Sequence, residues 1–371
     1  MRGRPPLFQF IKTAEQLDVF FEASGRVEIL SLDTEFSRDR TYYPTLCLLQ
    51  IATHQGIALI DALAIPSHSR ITEALTANHP TKILHAGRQD IEVLHLNCGV
   101  LPQNIKDTQI AAALCGYGDQ IGYARLVFEV LGVELEKAHT RTDWTQRPLR
   151  PEQLIYAAED VAFLGAIHEI LHERLETLDR LAWLEEECDA LLQPQLYTCE
   201  PLGLWRKISM AYDLDGESLY RLKHLVAWRE TAAQGLNLPR NWIARDEWLC
   251  RLASSPNAPL NAIEENPSIP SQQRSGVTQS LRDTLIQLAE NPGAETPPPE
   301  WAYRPDDRRK LLLKKLSGIV RAESEKLAIP ASLLASKKDL EILIDQPTKS
   351  RLSGGWRADL FGANLLNAID L

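Results

Sequence analysis

Val27-Glu28-Ile29-Leu30-Ser31-Leu32-Asp33-Thr34-Glu35-Phe36 is the run from which the fold is read. It is rich in β-branched and apolar residues, and a strand's period of two puts Asp33 and Glu35 on one face and Leu32 and Thr34 on the other. Two carboxylates side by side on a buried strand repel unless a positive charge stands between them, and a divalent metal supplies one well. A bare D-x-E pair equally suits one acid capping a turn and one meeting solvent at a strand end. The pair therefore acquires meaning only from further carboxylates in the chain.

The chain has 371 residues, more than one ordinary core holds, and is expected to fold as two or three domains. Hydrophobic residues at 44% and charged residues at 24% describe a soluble globular protein. No run approaches the ~18 apolar residues of a membrane span, and Met1-Arg2-Gly3-Arg4-Pro5-Pro6 leads into no signal-type segment. A cytosolic protein without a membrane partner is expected. Cys47, Cys98, Cys115, Cys188, Cys199 and Cys250 are scattered, with no C-x-x-C pair, and read as reduced, packed thiols. The net charge of −10 argues at first against a nucleic-acid partner. It is unevenly placed: residues 1–195 hold 17 Lys+Arg against 28 Asp+Glu, whereas the rest holds 23 against 22. The acidity belongs to the first part, where metal-binding carboxylates would lie, and local basic patches would do the steering.

Downstream, Thr45–Thr53 and Gly56–Asp61 read as strands joined at His54-Gln55-Gly56, making an antiparallel meander with the first. Ser69 to Ala77 reads as a helix, Lys82 to Ala86 as a short strand, and Gln89 to Leu96 as a helix again, an order that belongs to a mixed α/β sheet. Asp107 is expected to cap a helix over Thr108–Leu114, with a fifth acid near the site as its other reading, and Gly122 to Val130 predicts another helix. Pro151 starts a helical pattern running toward Leu192 with a break near Thr177. Gln193-Pro194 and Glu200-Pro201 mark a linker.

Beyond the linker the chain reads as all-helical and carries a repeat. Leu222, Leu225, Leu238, Pro239, Trp242, Ile243, Ala244, Leu249 and Leu252 recur 91 residues later as Leu313, Leu316, Ile329, Pro330, Leu333, Leu334, Ala335, Leu340 and Leu343. Two related bundles are expected, joined by the Pro-rich segment from Asn291 to Pro299.

Two further acids complete the pattern. Asp90 follows the Lys82–Ala86 strand at the start of a helix, where ligands gather in open α/β sheets, though a helix N-terminal acid is also favoured by the dipole alone. Tyr156 and Asp160, in Tyr156-Ala157-Ala158-Glu159-Asp160, stand one turn apart on one helix face. In order, Asp33-x-Glu35, Asp90 and Tyr156-x-x-x-Asp160 resemble the three exonuclease motifs of the DEDD superfamily in its tyrosine-bearing branch. His85-Ala86-Gly87-Arg88-Gln89-Asp90, Asp107-Thr108-Gln109, Arg141-Thr142-Asp143-Trp144 and Arg147-Pro148-Leu149 extend the likeness to bacterial ribonuclease D. Leu225 through Trp242 resembles the helicase-and-RNase-D C-terminal (HRDC) module, and the second bundle, with Gly355-Trp356-Arg357, its divergent copy.

The resemblance covers nearly the whole chain. It implies a ribonuclease H-like 3′–5′ exonuclease domain with a mixed sheet over residues 1–195, then an HRDC bundle over 212–292 and a second, divergent one over 300–371. It also implies removal of single nucleotides from RNA 3′ ends, tRNA precursors with 3′ extensions above all; the sequence leaves the oligomeric state open, with a monomer favoured. Asp33, Glu35, Asp90 and Asp160 together call for two divalent cations, Mg2+ or Mn2+, held ~3.5–4 Å apart so as to clamp a phosphodiester. Tyr156, a phenol of pKa ~10, is expected to orient the attacking water rather than deprotonate it.

Arg141, Trp144 and Arg147 form a basic and aromatic cluster suited to phosphate contact or base stacking, or equally to a salt-bridged structural loop. Lys314 and Lys315, with Arg304, Arg308, Arg309, Lys310 and Arg321, make the strongest basic stretch, read as a solvated helix face or an RNA contact. Glu159 is expected to point into solvent, and His85 to pack rather than ligate. A DNA exonuclease of repair and a non-catalytic nucleic-acid-binding protein are the rival readings.

Overall fold

A computed structural model describes residues 6–66, 68–135, 142–255, 260–296 and 307–370. Its core is a six-stranded sheet, β1 (Phe8–Ile11), β2 (Ile29–Ser37), β3 (Thr45–Thr53), β4 (Gly56–Asp61), β5 (Thr81–Leu84) and β6 (Ile105–Asp107), in the order β1-β4-β3-β2-β5-β6. β2, β3 and β4 form the antiparallel meander the alternation predicts, and β1, β5 and β6 add on in parallel. The mixed sheet follows from the connections: the two-residue turn His54-Gln55 and the helix-free loop 38–44 allow antiparallel neighbours, whereas the helical crossovers enforce parallel ones. β3 is buried from Leu46 through Ala52, as a central strand covered on both faces must be.

One face of the sheet packs Leu30, Leu32, Leu49 and Ile51 against α1 (Ala14–Ser24) and α3 (Arg88–Cys98) through Leu17, Phe20, Ile91 and Leu94. The other packs Leu48, Ala52, Ile57, Leu59 and Ile83 against Ala157, Ala158 and Val161 of α6 (Pro151–Ala162). Between the two lie α2 (Ser69–Thr76), α4 (Thr108–Leu114) and α5 (Tyr123–Leu131) in chain order. The register of β2 against β3 slips between Glu35 and Phe36, which oppose Leu48 and Leu46, so Cys47 is the extra residue of a bulge beside Glu35.

The long helical pattern breaks twice. α7 (Leu164–Thr177) ends where expected, before α8 (Leu181–Leu191), but a further break falls at Phe163. There the Tyr123 hydroxyl donates to the Glu159 carbonyl (3.0 Å) and accepts from the Phe163 N–H (3.2 Å). A phenol thus replaces the intrahelical bonds that the break removes.

The chain divides into two compact units. The first joins the sheet and its helices to residues 307–371; the second comprises residues 38–44 and 198–306. The second is a bundle of α9 (Gly216–Leu236), the short helices Arg240–Ile243, Asp246–Ser254 and Asn261–Glu264, and the long Ser271–Glu290. Its core includes Trp205, Leu222, Leu225, Trp228, Ile243, Leu249 and Leu281. Residues 38–44 are held there: the backbone N–H groups of Tyr42 and Tyr43 donate to Asn237 Oδ1 at 3.1 and 3.0 Å, and the Tyr42 hydroxyl donates to buried Glu230.

In the first unit, helices Asp307–Leu327, Ala331–Leu334 and Lys337–Asp345 repeat α9 and the next two helices at an offset of 91 residues in every bound. Trp356 stacks on Trp183 of α8 with ring centroids 4.5 Å apart, and Arg180 donates to the Leu327 carbonyl (2.8 Å). No helix among the described residues is long and apolar enough to cross a membrane.

Candidate active site

β2 and α6 bring three of the four acids together. One carboxylate oxygen from each of Asp33, Glu35 and Asp160 lies within 4.8 Å of the others, and all three side chains keep partial access to solvent. Tyr156, one turn before Asp160, is hydrogen-bonded through its hydroxyl to the Asp160 carboxylate. Asp90 stands beside this trio in the first turn of α3, 8% exposed, and accepts a hydrogen bond from Thr34 Oγ1 (2.5 Å). Thr34 points away from Asp33 and Glu35, so the strand between them serves both faces: its acids line one, and its hydroxyl anchors the fourth acid.

The turn that delivers Asp90 is tightly built. Ala86 adopts a left-handed φ of 55°, and a Cβ on Gly87 would come within 2.7 Å of the Leu84 Cβ. Asp107 accepts from the N–H groups of Ala86 (3.1 Å) and Gly87 (2.8 Å) while also capping α4 through Gln109 N (2.8 Å) and Ile110 N (3.3 Å). Asp107 is therefore the cap, saturated with backbone donors.

The electrostatics of the four acids are those of a site built for cations. Burial, followed by the charges of Asp90, Asp160 and Glu35, pushes Asp33 well above the ordinary carboxylate range. Burial and the charges of Asp160 and Asp90 push Glu35 up to about 9. Asp160 rises to about 7, burial outweighing its bond from Tyr156, and Asp90 rises to about 6, burial outweighing the Thr34 hydroxyl. Burial and the same carboxylates also raise Tyr156, so it stays a phenol at neutral pH. Oxygen-only donors in mutual repulsion fit divalent cations, which would replace the protons.

Of the other predicted residues, Trp144 and Arg147 require correction as RNA contacts. Trp144 is 4% exposed, packed with Leu149, Ala157 and Ala158, its ring 6.3 Å from that of Tyr156. All five Arg147 N–H donors are engaged inside the protein. They reach Asp61 Oδ1 and Oδ2 at 2.7 and 2.8 Å, the Cys47 carbonyl at 2.8 Å, and the carbonyls of Trp144 and Gln146 at 2.7 and 2.9 Å. The salt-bridged loop is the correct reading of this pair: Arg147 ties the end of β4 and the bulge beside Glu35 to the segment that precedes α6.

Arg141 lies outside the described residues, as do residues 301–306 of the basic stretch. Lys314 and Lys315 are exposed on the helix Asp307–Leu327, Lys315 donating to the Ala368 carbonyl (3.1 Å). His85 is a packing residue, its ring nitrogens 2.9 Å from Thr108 Oγ1 and from the Ile121 carbonyl. Thr34 and Asp61 are the supporting residues that the sequence reading passed over. A threonine between two acids and an acid closing an apolar strand were the available signals.

A mixed sheet with an acidic trio on its central strand and covering helix, and a fourth acid after β5, defines a 3′–5′ exonuclease domain. A family model described as 3′–5′ exonuclease matches residues 8–176. Ribonuclease D of Xanthomonas oryzae pv. oryzae is 38% identical over 353 residues, 94% of each chain, and that of Granulibacter bethesdensis is 36% identical over 98% of this chain and 93% of its own. The chain belongs to the ribonuclease D family and is a 3′→5′ exoribonuclease. The crystal structure of Escherichia coli RNase D, an exoribonuclease involved in structured RNA processing, is 32% identical with a TM-score of 0.86 over 98% of this chain and 99% of that one.

Proposed function

We propose that this chain shortens structured RNA from its 3′ end, one nucleoside 5′-monophosphate at a time, and that tRNA precursors with 3′ extensions are its main substrates. The observation that carries the reading is the meeting of Asp33, Glu35 and Asp160 within 4.8 Å, with Asp90 electrostatically joined to them, on a chain so similar to E. coli RNase D. These four residues would hold two divalent cations, Mg2+ or Mn2+. When bound, such ions supply charge neutralisation and Lewis-acid stabilisation at the scissile phosphodiester.

The chain's own groups do the rest. Tyr156, kept protonated, gives its one O–H to Asp160 and cannot abstract a proton, so its oxygen orients the attacking water by accepting from it. Thr34 holds Asp90 in place. The two helical bundles, read as HRDC-type modules, hold and orient RNA, with exposed Lys314 available to phosphate. The free cysteines accord with a reducing cytosol, where the chain would work as a monomer.

The deciding experiment compares a 3′-extended tRNA, an RNA oligomer and a DNA oligomer of the same sequence, with and without Mg2+. Metal-dependent release of 5′-monophosphates from the RNAs, abolished in Asp33→Asn and Asp160→Asn, is the expected result. Tyr156→Phe should lower kcat on the order of 10²-fold with little change in KM. Near-normal rates in either carboxylate variant, or equal use of DNA, would defeat the reading.

A further inference from the structure

Gln50 is the one polar residue in the interior of β3, whose neighbours Leu46, Cys47, Leu48, Leu49, Ile51 and Ala52 are all buried and apolar or sulfur-bearing. It is 0% exposed, and neither its Oε1 nor its Nε2 has a hydrogen-bond partner among the described residues. A carboxamide buried with both ends idle destabilises a fold, whereas a leucine or methionine would fill the same place without that penalty. A face built from Leu48, Ala52, Ile57 and Leu59 has no packing need for an amide.

The register says what the amide is beside. Gln50 stands directly opposite Asp33 on β2 and Leu59 on β4. Directly opposed residues of an antiparallel pair project from the same face, with Cβ atoms roughly 4.5–5.5 Å apart. That face carries Glu35 and is covered by α6, the helix of Tyr156 and Asp160. Asp33 itself draws a hydrogen bond from the Thr34 backbone. An idle amide donor thus adjoins a carboxylate acceptor, and rotation of the amide can turn its N–H end toward either side.

We propose that Gln50 is a positioning residue of the metal site: when the acids hold divalent cations, the Gln50 Nε2–H donates to the Asp33 carboxylate and fixes that ligand's orientation. The assignment rests on the exonuclease reading of the acidic cluster. Groups that orient a metal ligand typically change metal affinity or activity 10–100-fold when removed, which sets the size of the effect to look for.

The test uses the full chain and its Gln50→Leu and Gln50→Met variants. Unfolding midpoints are measured in EDTA and in saturating Mn2+, Mn2+ affinity by titration calorimetry, and kcat and KM on an RNA oligomer. The expected result is a midpoint in EDTA that is unchanged or raised, since an idle buried amide has been removed. With it should come a smaller Mn2+-induced rise, Mn2+ affinity weakened on the order of ten-fold, and a fall in kcat at nearly constant KM. A lowered midpoint in EDTA with Mn2+ affinity and kcat intact would show a purely structural amide and overturn the proposal. If the unmodified chain gains no stability from Mn2+ and Asp33→Asn stays active, the exonuclease reading falls and takes the proposal with it. If the unmodified chain responds to Mn2+ as expected but both variants match it, the proposal alone fails.

Discussion

Asp33 is buried among the carboxylates of Asp90, Asp160 and Glu35, whose charges raise its proton affinity, so in the metal-free chain function and stability oppose each other at this residue. A carboxylate whose folded pKa exceeds its unfolded value binds more protons when folded. Its contribution is complete below the unfolded value and is lost as pH climbs through the folded one. The ordinary values are 3.8 and 4.5, and the folded values are about 6 for Asp90, about 7 for Asp160 and about 9 for Glu35. In EDTA the unfolding midpoint should therefore fall between about pH 4 and about pH 9, and Mn2+ should restore more of it at the alkaline end. Asp33→Asn should raise the metal-free midpoint near pH 8 while abolishing hydrolysis, a reversal of the usual sign for a buried substitution, read by thermal scans with and without EDTA. A midpoint that is flat across that range would mean the acids do not repel as described. These residues were legible because a strand's period and a helix turn fix which side chains share a face, and a D-x-E and a Y-x-x-x-D carry that geometry within a few positions. Trp144 and Arg147 were not, because an aromatic and a base have the same composition in an RNA-binding face and in a buried ion pair. The partner that decides, Asp61, lies 86 residues away in the sequence.

At the level of elements, that ion pair joins three pieces of chain. Arg147 spends every donor on the end of β4, on the bulge carbonyl of Cys47, and on its own loop, and it brings Asp61 below its ordinary range although burial alone would raise it. Asp61 is 5% exposed, so Arg147→Ala would leave a buried carboxylate without its partner, at a cost of about 3–5 kcal/mol. Urea unfolding should show that loss, and Arg147→Lys should recover only part of it, because an ammonium keeps the charge but not the planar fork. Full recovery by lysine would mean that charge alone matters. Because the bulge adjoins Glu35 and the loop leads into α6, kcat should fall in both variants even under conditions where they remain folded. The same scale explains which elements escaped the sequence reading. β1 and β6 have four and three residues, too few to establish an alternation, and β6 is buried throughout. The break at Phe163 was hidden because the bonds that compensate it come from Tyr123, forty positions upstream. The central meander, by contrast, has two nine-residue strands and one of six, whose apolar runs and turn residues speak for themselves.

Across the whole molecule, the repeat legible as apolar residues 91 apart coincides with the same offset in the bounds of three successive helices, yet its two copies fall into different units. Periodicity specifies which face of each helix is apolar, but both copies have that face, so the sequence pattern cannot say what else each bundle packs on. The difference is carried by residues outside the repeat. Arg357, 1% exposed, donates to the Leu333 and Leu334 carbonyls at 2.6 and 2.9 Å and pairs with Glu187 of α8, while Trp356 Nε1 donates to Glu187 Oε1 at 3.1 Å. Arg351 adds a longer contact to the same carboxylate at 3.7 Å. Glu187→Ala would strip a buried guanidinium of its only described carboxylate, with an expected loss of about 3–5 kcal/mol. Because the first unit contains both partners and the second neither, amide hydrogen exchange should quicken in Ala331–Leu334, in Ala363–Asp370 and along α8, while α9 keeps its protection. Equal loss of protection in α9 would show instead that the two units open together, and that the sheet, its C-terminal bundle and the middle bundle are one cooperative body.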